Sequence, residues 1–147
     1  AVMLRAIPLL ILPIAAYFIL DIIVFPGEIG ANGQAQPNST GMAMSHVLLQ
    51  FTLISERTVT LTVKDALILG GLAFLFLEMM KATHGGTRTI LDHFLSMLVF
   101  VGSLLAFLLL ESAGTATFLI LTAMTFLDVI AGFSITIRSV QRDISVS

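Results

Sequence analysis

The chain has 147 residues, of which 57% are hydrophobic and 11% charged, with a formal net charge of -2 and no cysteine. Soluble domains carry about 25% charged residues, so this chain lacks the polar surface for a water-exposed globule of its length. The small net charge and the absence of a basic stripe exclude a nucleic-acid partner, and a cysteine-free chain has no disulfide, thiolate metal site or dithiol chemistry.

Four apolar runs occur in chain order: Ile7 to Phe25, Ala66 to Met80, Phe94 to Leu110 and Ala116 to Ile137. A hydrocarbon layer about 30 Å thick is crossed by roughly 20 apolar residues in a helix. The expected fold is therefore an all-α integral membrane protein. It would be a single membrane domain over 1–147, a four-transmembrane-helix bundle with spans near 6–25, 65–84, 90–110 and 115–137. Arg5 followed by an apolar stretch resembles a signal peptide. The stretch exceeds the ~7–15 residues usual for one, and Pro8 and Pro13 interrupt it, so it reads as a retained first span.

The outward loop, 26–64, begins with a Gly-, Pro- and Asn-rich stretch, Pro26 to Gly41, that reads as exposed coil. Asn38-Ser39-Thr40 within it matches a glycosylation sequon, but nothing else points to a eukaryotic secretory protein. Val47 to Ile54 and Thr58 to Val63 follow, and the second alternates Val59, Leu61 and Val63 with threonines, as a strand does. An extracytoplasmic β-hairpin turning at Glu56-Arg57 is expected, with Phe51, Leu53, Val59, Leu61 and Val63 as candidate partner-binding residues. Isolated hairpins are marginal in water, so it would lie on the membrane surface, on the helix ends or against a partner's strand. An amphipathic interfacial segment from Met42 to Ile54 is the alternative.

Span two should close at His84-Gly85-Gly86, and Thr89 with Asp92 fits a helix-start signal for span three. Ser112-Ala113-Gly114 makes the next turn, with Thr115 as N-cap of span four. Such short links predict that spans two, three and four pack in sequence order. Arg5, Lys81, Arg88, Arg138 and Arg142 lie on one side of the spans, and only Arg57 and Lys64 on the other. That bias places both termini in the cytoplasm of a bacterial cytoplasmic (inner) membrane.

Ionisable residues within lipid need a partner, a protonation change or a path to water, at about 2.5–3.5 kcal/mol each. Asp21 lies near the outer end of span one, within reach of headgroups. Asp128 lies ten positions before Arg138, about 15 Å along the helix, so it cannot snorkel out. Thr122, Thr125, Gly132 and Thr136 share its side of the helix. His93 and Ser96, continued by Phe100, Ser103 and Phe107, make a face of span three. Gly71, Phe74, Glu78 and Lys81 make one on span two. Glu78, Lys81, His93, Ser96 and Asp128 thus form a candidate intramembrane polar network, with Lys81 paired to Glu78 one turn away or to Asp128 across the bundle. Read structurally it is an ion pair that fixes helix order; read functionally it is a proton or cation relay. Gly102 and Ala106 make one small-xxx-small pair.

No catalytic residue, cofactor-binding residue or metal ligand is assigned. His93 stands at a helix start without a paired histidine, which disfavours haem or chlorophyll; bound lipid is the one expected small molecule. The Glu-x-x-His repeats of di-metal bundles, His-Glu-x-x-His, Gly-x-Ser-x-Gly and a P-loop are all missing. TVTLTVKDALIL, LEMMKATHGGTRTILDHFLSMLVF and ATFLILTAMTFLDVIAGFSITI resemble stretches of a family of small four-span bacterial inner-membrane proteins. The resemblance covers roughly residues 47 to 137 and implies location without a reaction. The length is similar to that of four-span glutathione-handling enzymes, whose arginine-rich helix motifs are not found here. The expected role is therefore non-enzymatic: an accessory or scaffold subunit of a larger membrane assembly, such as a respiratory or photosynthetic one, with the bilayer and other membrane subunits or itself as partners. The alternative is a small proton- or ion-coupled carrier or channel; an enzyme acting on lipid or quinone lacks a nucleophile.

Overall fold

A computed structural model describes residues 7–24, 44–82 and 89–145. The described chain is mostly helical with one two-stranded antiparallel sheet. Its elements are α1 (Ile11–Ile19, continued by a π-helical turn Leu20–Val24), β1 (Val47–Thr52), β2 (Thr58–Thr62), α2 (Val63–Ala82), α3 (Thr89–Leu109) and α4 (Ala116–Ser145).

The starts of α1, α2 and α4 each have a local cause. Pro13 falls in the first turn of α1, where its missing N–H leaves no intrahelical bond unmade. The Asp65 carboxylate accepts from both the Thr62 backbone N–H, at 2.9 Å, and the Thr62 hydroxyl, half of a capping box at the start of α2. Thr115 caps α4 as expected, its Oγ1 accepting the Phe118 N–H at 3.2 Å. A short 3-10 turn, Glu111–Ala113, links α3 to α4. The closing glycines expected at Gly85-Gly86, the coil and sequon of the first loop, and Arg5 and Arg88 lie outside the described residues.

Among the described residues two helices, not four, are long and apolar enough to cross a membrane: α3 over Leu91–Leu109 and α4 over Ala116–Ser134. The other two fall short for different reasons. Lys64, Asp65, Glu78 and Lys81 put at least three charges in every 18-residue stretch of α2, although its 20 residues span about 30 Å. In α1 the described apolar helix covers only Ile11–Ile22. Conversely α4 runs 30 residues, eight beyond the Ile137 expected.

The packing also departs from sequence order. α4 is the central helix, meeting α1, α2 and α3, while α2 packs on α4 and α1 rather than on α3. Gly71 explains the α2–α4 approach: a Cβ there would stand 2.9 Å from Leu121 Cδ2 and 3.0 Å from Met124 Sδ. The core joins Leu10, Tyr17, Leu67, Leu75, Phe118, Leu121 and Met124. Gly102 has open space where its Cβ would be, so among the described residues no neighbouring helix packs on it.

Tyr17, the only tyrosine, was no part of the expected network, yet it ties α1 to the α3–α4 turn. Its fully buried hydroxyl donates to the Ser112 carbonyl at 2.8 Å and shares a hydrogen with Thr115 Oγ1 at 2.7 Å. Its ring meets Phe118 at 4.9 Å and Phe18 at 5.7 Å. Tyr17→Phe keeps the rings but leaves the Ser112 carbonyl without its donor and the Thr115 hydroxyl without its acceptor, so it should destabilise the fold by about 1–2 kcal/mol. Thermal unfolding in detergent reads this; an unchanged midpoint would show the hydroxyl to be idle.

The β-hairpin forms, and of the amphipathic interfacial segment considered for Met42 to Ile54, Val47–Thr52 is strand. Its turn lies earlier than Glu56-Arg57. Leu53 N–H bonds Arg57 O at 2.8 Å and Glu56 N–H bonds Leu53 O at 3.0 Å, leaving Ile54-Ser55-Glu56 as a three-residue loop. Such loops put their last residue in the left-handed region, and Glu56 has φ 62. Glu56→Gly should therefore steady the hairpin by about 1 kcal/mol. Amide exchange of β1 and β2 would slow; equal or faster exchange contradicts the turn assignment.

Candidate functional site

The expected polar residues converge at the end of the bundle where α1 begins, α2 ends and α3 begins. Glu78, only 5% exposed, is the centre of it. Its Oε2 accepts the Leu9 N–H at 2.9 Å, and its Oε1 pairs with Lys81 Nζ at 3.1 Å. Leu9 lies just before the N-cap of α1, and Glu78 supplies its N–H with an acceptor from a neighbouring helix. Lys81 also donates to the Ile7 carbonyl at 3.4 Å and stands 4.0 Å from Asp92 Oδ2. Of the two pairings open to Lys81, the one with Glu78 forms. Asp92 of α3, rather than Asp128, supplies the second carboxylate. Asp92 was legible only as a helix-start signal.

Asp128 sits on the inward stripe of α4, 7% exposed, with Thr122, Thr125 and Gly132 buried beside it. Its carboxyl is hydrogen-bonded by the Ser96 hydroxyl from α3, and Glu78, Lys81 and His93 lie close enough to act on it electrostatically. Thr122 and Thr125 satisfy themselves by donating to the Phe118 and Thr122 carbonyls at 2.9 and 2.7 Å. The side chain of Thr136 lies outside those described. The inward faces of α2 and α3 are as expected: Gly71, Glu78, Ser96 and Ser103 are buried, and Phe100 meets Phe126 at 5.1 Å.

His93 packs flat against α4. A Cβ on Gly132 would lie 2.3 Å from His93 Nδ1 and 2.5 Å from Cε1, so only glycine admits the ring. Phe133 stacks on it with centroids 6.2 Å apart and planes 28° apart. Among the described residues, His93 Nε2 and Asp92 Oδ1 are buried polar atoms without a hydrogen-bond partner. No group of three His, Asp or Glu side chains suited to a metal ion occurs among the described residues.

The second candidate is the hairpin. Leu49 pairs with Leu61 and Phe51 with Val59 on one face; Gln50 pairs with Thr60 and Thr52 with Thr58 on the other. Phe51 and Leu53 are exposed, and Val59 and Leu61 partly so. Val63, expected on this face, is instead the first residue of α2 and buried in the core, because the strand ends at Thr62. Leu49 takes its place on the apolar face.

No protein-family model, curated protein or solved structure matches the chain. The residues themselves define the class that can be stated: a mostly helical protein with two helices able to cross a membrane by length and composition.

Proposed function

We propose that the chain is a four-span protein of the bacterial cytoplasmic membrane, with both termini cytoplasmic, serving as a non-catalytic accessory or scaffold subunit of a larger membrane assembly. One observation carries the membrane part. Apolar residues face outward while the carboxylates and hydroxyls face in; only 11% of the apolar stretch of α3 is buried, against 50% for α4. In water an α3 of this composition would be a core helix. Lipid makes its exposed face ordinary, and the charges of α2 then shorten that helix's apolar length to one that local thinning and snorkelling of Lys81 accommodate.

The accessory role rests on the hairpin. Both strand edges are free of proline and charge, the devices that usually block further pairing. A neighbouring subunit of a respiratory, photosynthetic or other assembly can therefore add a strand there. Purification in gentle detergent with mass spectrometry of what co-purifies tests it. A defined membrane partner is the expected result, and a chain that emerges alone contradicts it.

The buried carboxylates of Glu78 and Asp128 favour a second reading, a small proton- or ion-coupled carrier or channel using Glu78, Lys81, His93 and Asp128. On that reading Asp128→Asn abolishes ion flux into reconstituted vesicles. On the accessory reading no flux exists to lose.

A further inference from the structure

We infer that the hairpin is a lipid-binding wing, its apolar face lying in the outer headgroup layer; this rests on the membrane reading above and fixes which part of the hairpin is left for protein. Three observations converge on it. First, β2 passes into α2 with no intervening residue, and the ladder continues through Val63 N–H to His46 O at 3.0 Å and Lys64 N–H to Met44 O at 3.1 Å. Met44 is itself buried in the core, so the hairpin is rooted at the level where the helix begins.

Second, the two faces differ in kind. From Leu49 to Leu61, Leu49, Phe51, Val59 and Leu61 make one and Gln50, Thr52, Thr58 and Thr60 the other; at the strand ends a register shift pairs Val47 with Thr62, and neither strand carries a charge. A surface with a wet side and an oily side and no charge suits a polar–apolar boundary, as amphipathic helices do at interfaces.

Third, the apolar face is exposed among the described residues: Leu49 is 56% and Phe51 42% exposed, and Ile54 at the tip is fully exposed. Beyond Lys64 and Asp65 the outward apolar surface resumes on α2 with Leu69 and Leu72. The lipid that covers those residues is contiguous with whatever covers the hairpin. A hairpin this small is marginal in water, and the headgroup layer supplies the missing apolar contact. Lying flat, the sheet turns its strand edges sideways, so the edges and not the apolar face remain for a neighbouring subunit.

The chain contains no tryptophan, so a single introduced one reports a single place. Phe51→Trp, Leu49→Trp, Thr60→Trp and Leu98→Trp variants, the last on the outward side of α3, would be reconstituted into vesicles containing phosphatidylcholine brominated near the headgroup end of its acyl chains and, separately, near their methyl end. Emission from positions 49 and 51 should be lost to the shallow bromines and that from position 98 to the deep ones, while position 60 keeps its emission. Quenching at 98 without quenching at 49 or 51 overturns the wing and leaves the membrane reading standing. Blue-shifted but unquenched emission at 49 and 51 overturns it in favour of a protein covering, a partner or a second copy. Equal quenching of both hairpin faces also overturns it, and absence of quenching at 98 removes the membrane reading itself.

Discussion

Gly132→Ala should separate α3 from α4. The added Cβ would fall 2.3 Å from His93 Nδ1, inside the ring's van der Waals surface, and an imidazole has no flexible end to swing aside. Either the ring leaves its stack on Phe133 or the helices part, and each route costs about 1–3 kcal/mol as overpacking does. Since Ser96 and Asp128 join the same two helices, parting them also loosens that hydrogen bond. Unfolding in detergent would show the loss, and His93→Ala placed on top of Gly132→Ala should recover most of it. A double mutant as unstable as the sum of its singles would show that His93 is not what glycine accommodates.

Removing the Glu78 carboxylate should be the most damaging single change in the cluster. Glu78→Ala leaves Lys81 with the Ile7 carbonyl and, 4.0 Å away, Asp92 as its remaining carboxylate, and strands the Leu9 N–H. Breaking a buried pair from one side costs roughly 3–5 kcal/mol, and the partial exposure of Lys81 puts the expected loss near the lower end. Glu78→Gln keeps an acceptor for Leu9 and should lose less. Glu78→Leu with Lys81→Met removes both charges and should recover part of the stability, Asp92 and the Leu9 N–H then being left unpaired. A Glu78→Ala protein with the wild-type unfolding midpoint would mean that the pair contributes nothing, and that α1 is held to α2 by apolar contact alone.

Sequence made the polar interior legible because charge in an apolar run has few explanations. Glu78, Lys81, Ser96 and Asp128 could be gathered from helical spacing, and Thr115 from its position before an apolar run. Helix neighbours were less accessible. Short links suggest α2 beside α3, but the close approach allowed by Gly71 sets α2 on α4, and no spacing within α2 reveals which helix will fill that notch. Asp92 was hidden by its other reading, as a helix-start residue. Tyr17 had a signal that could have been used: one phenol in an apolar helix needs a partner for its hydroxyl, and the α3–α4 turn provides it. The hairpin turn was displaced because Glu56 stands where glycine or asparagine is usual, so its left-handed backbone left no mark in composition.

The chain has no cysteine, so water-borne maleimide against single introduced cysteines tests most directly whether lipid bathes the outward faces. In sealed, oriented vesicles, Ser55→Cys at the hairpin tip should label readily from outside. Leu98→Cys on α3, 51% exposed in the isolated fold, should stay unlabelled until detergent is added. Rapid labelling of Leu98→Cys in a chain folded and monodisperse without detergent would contradict the membrane account.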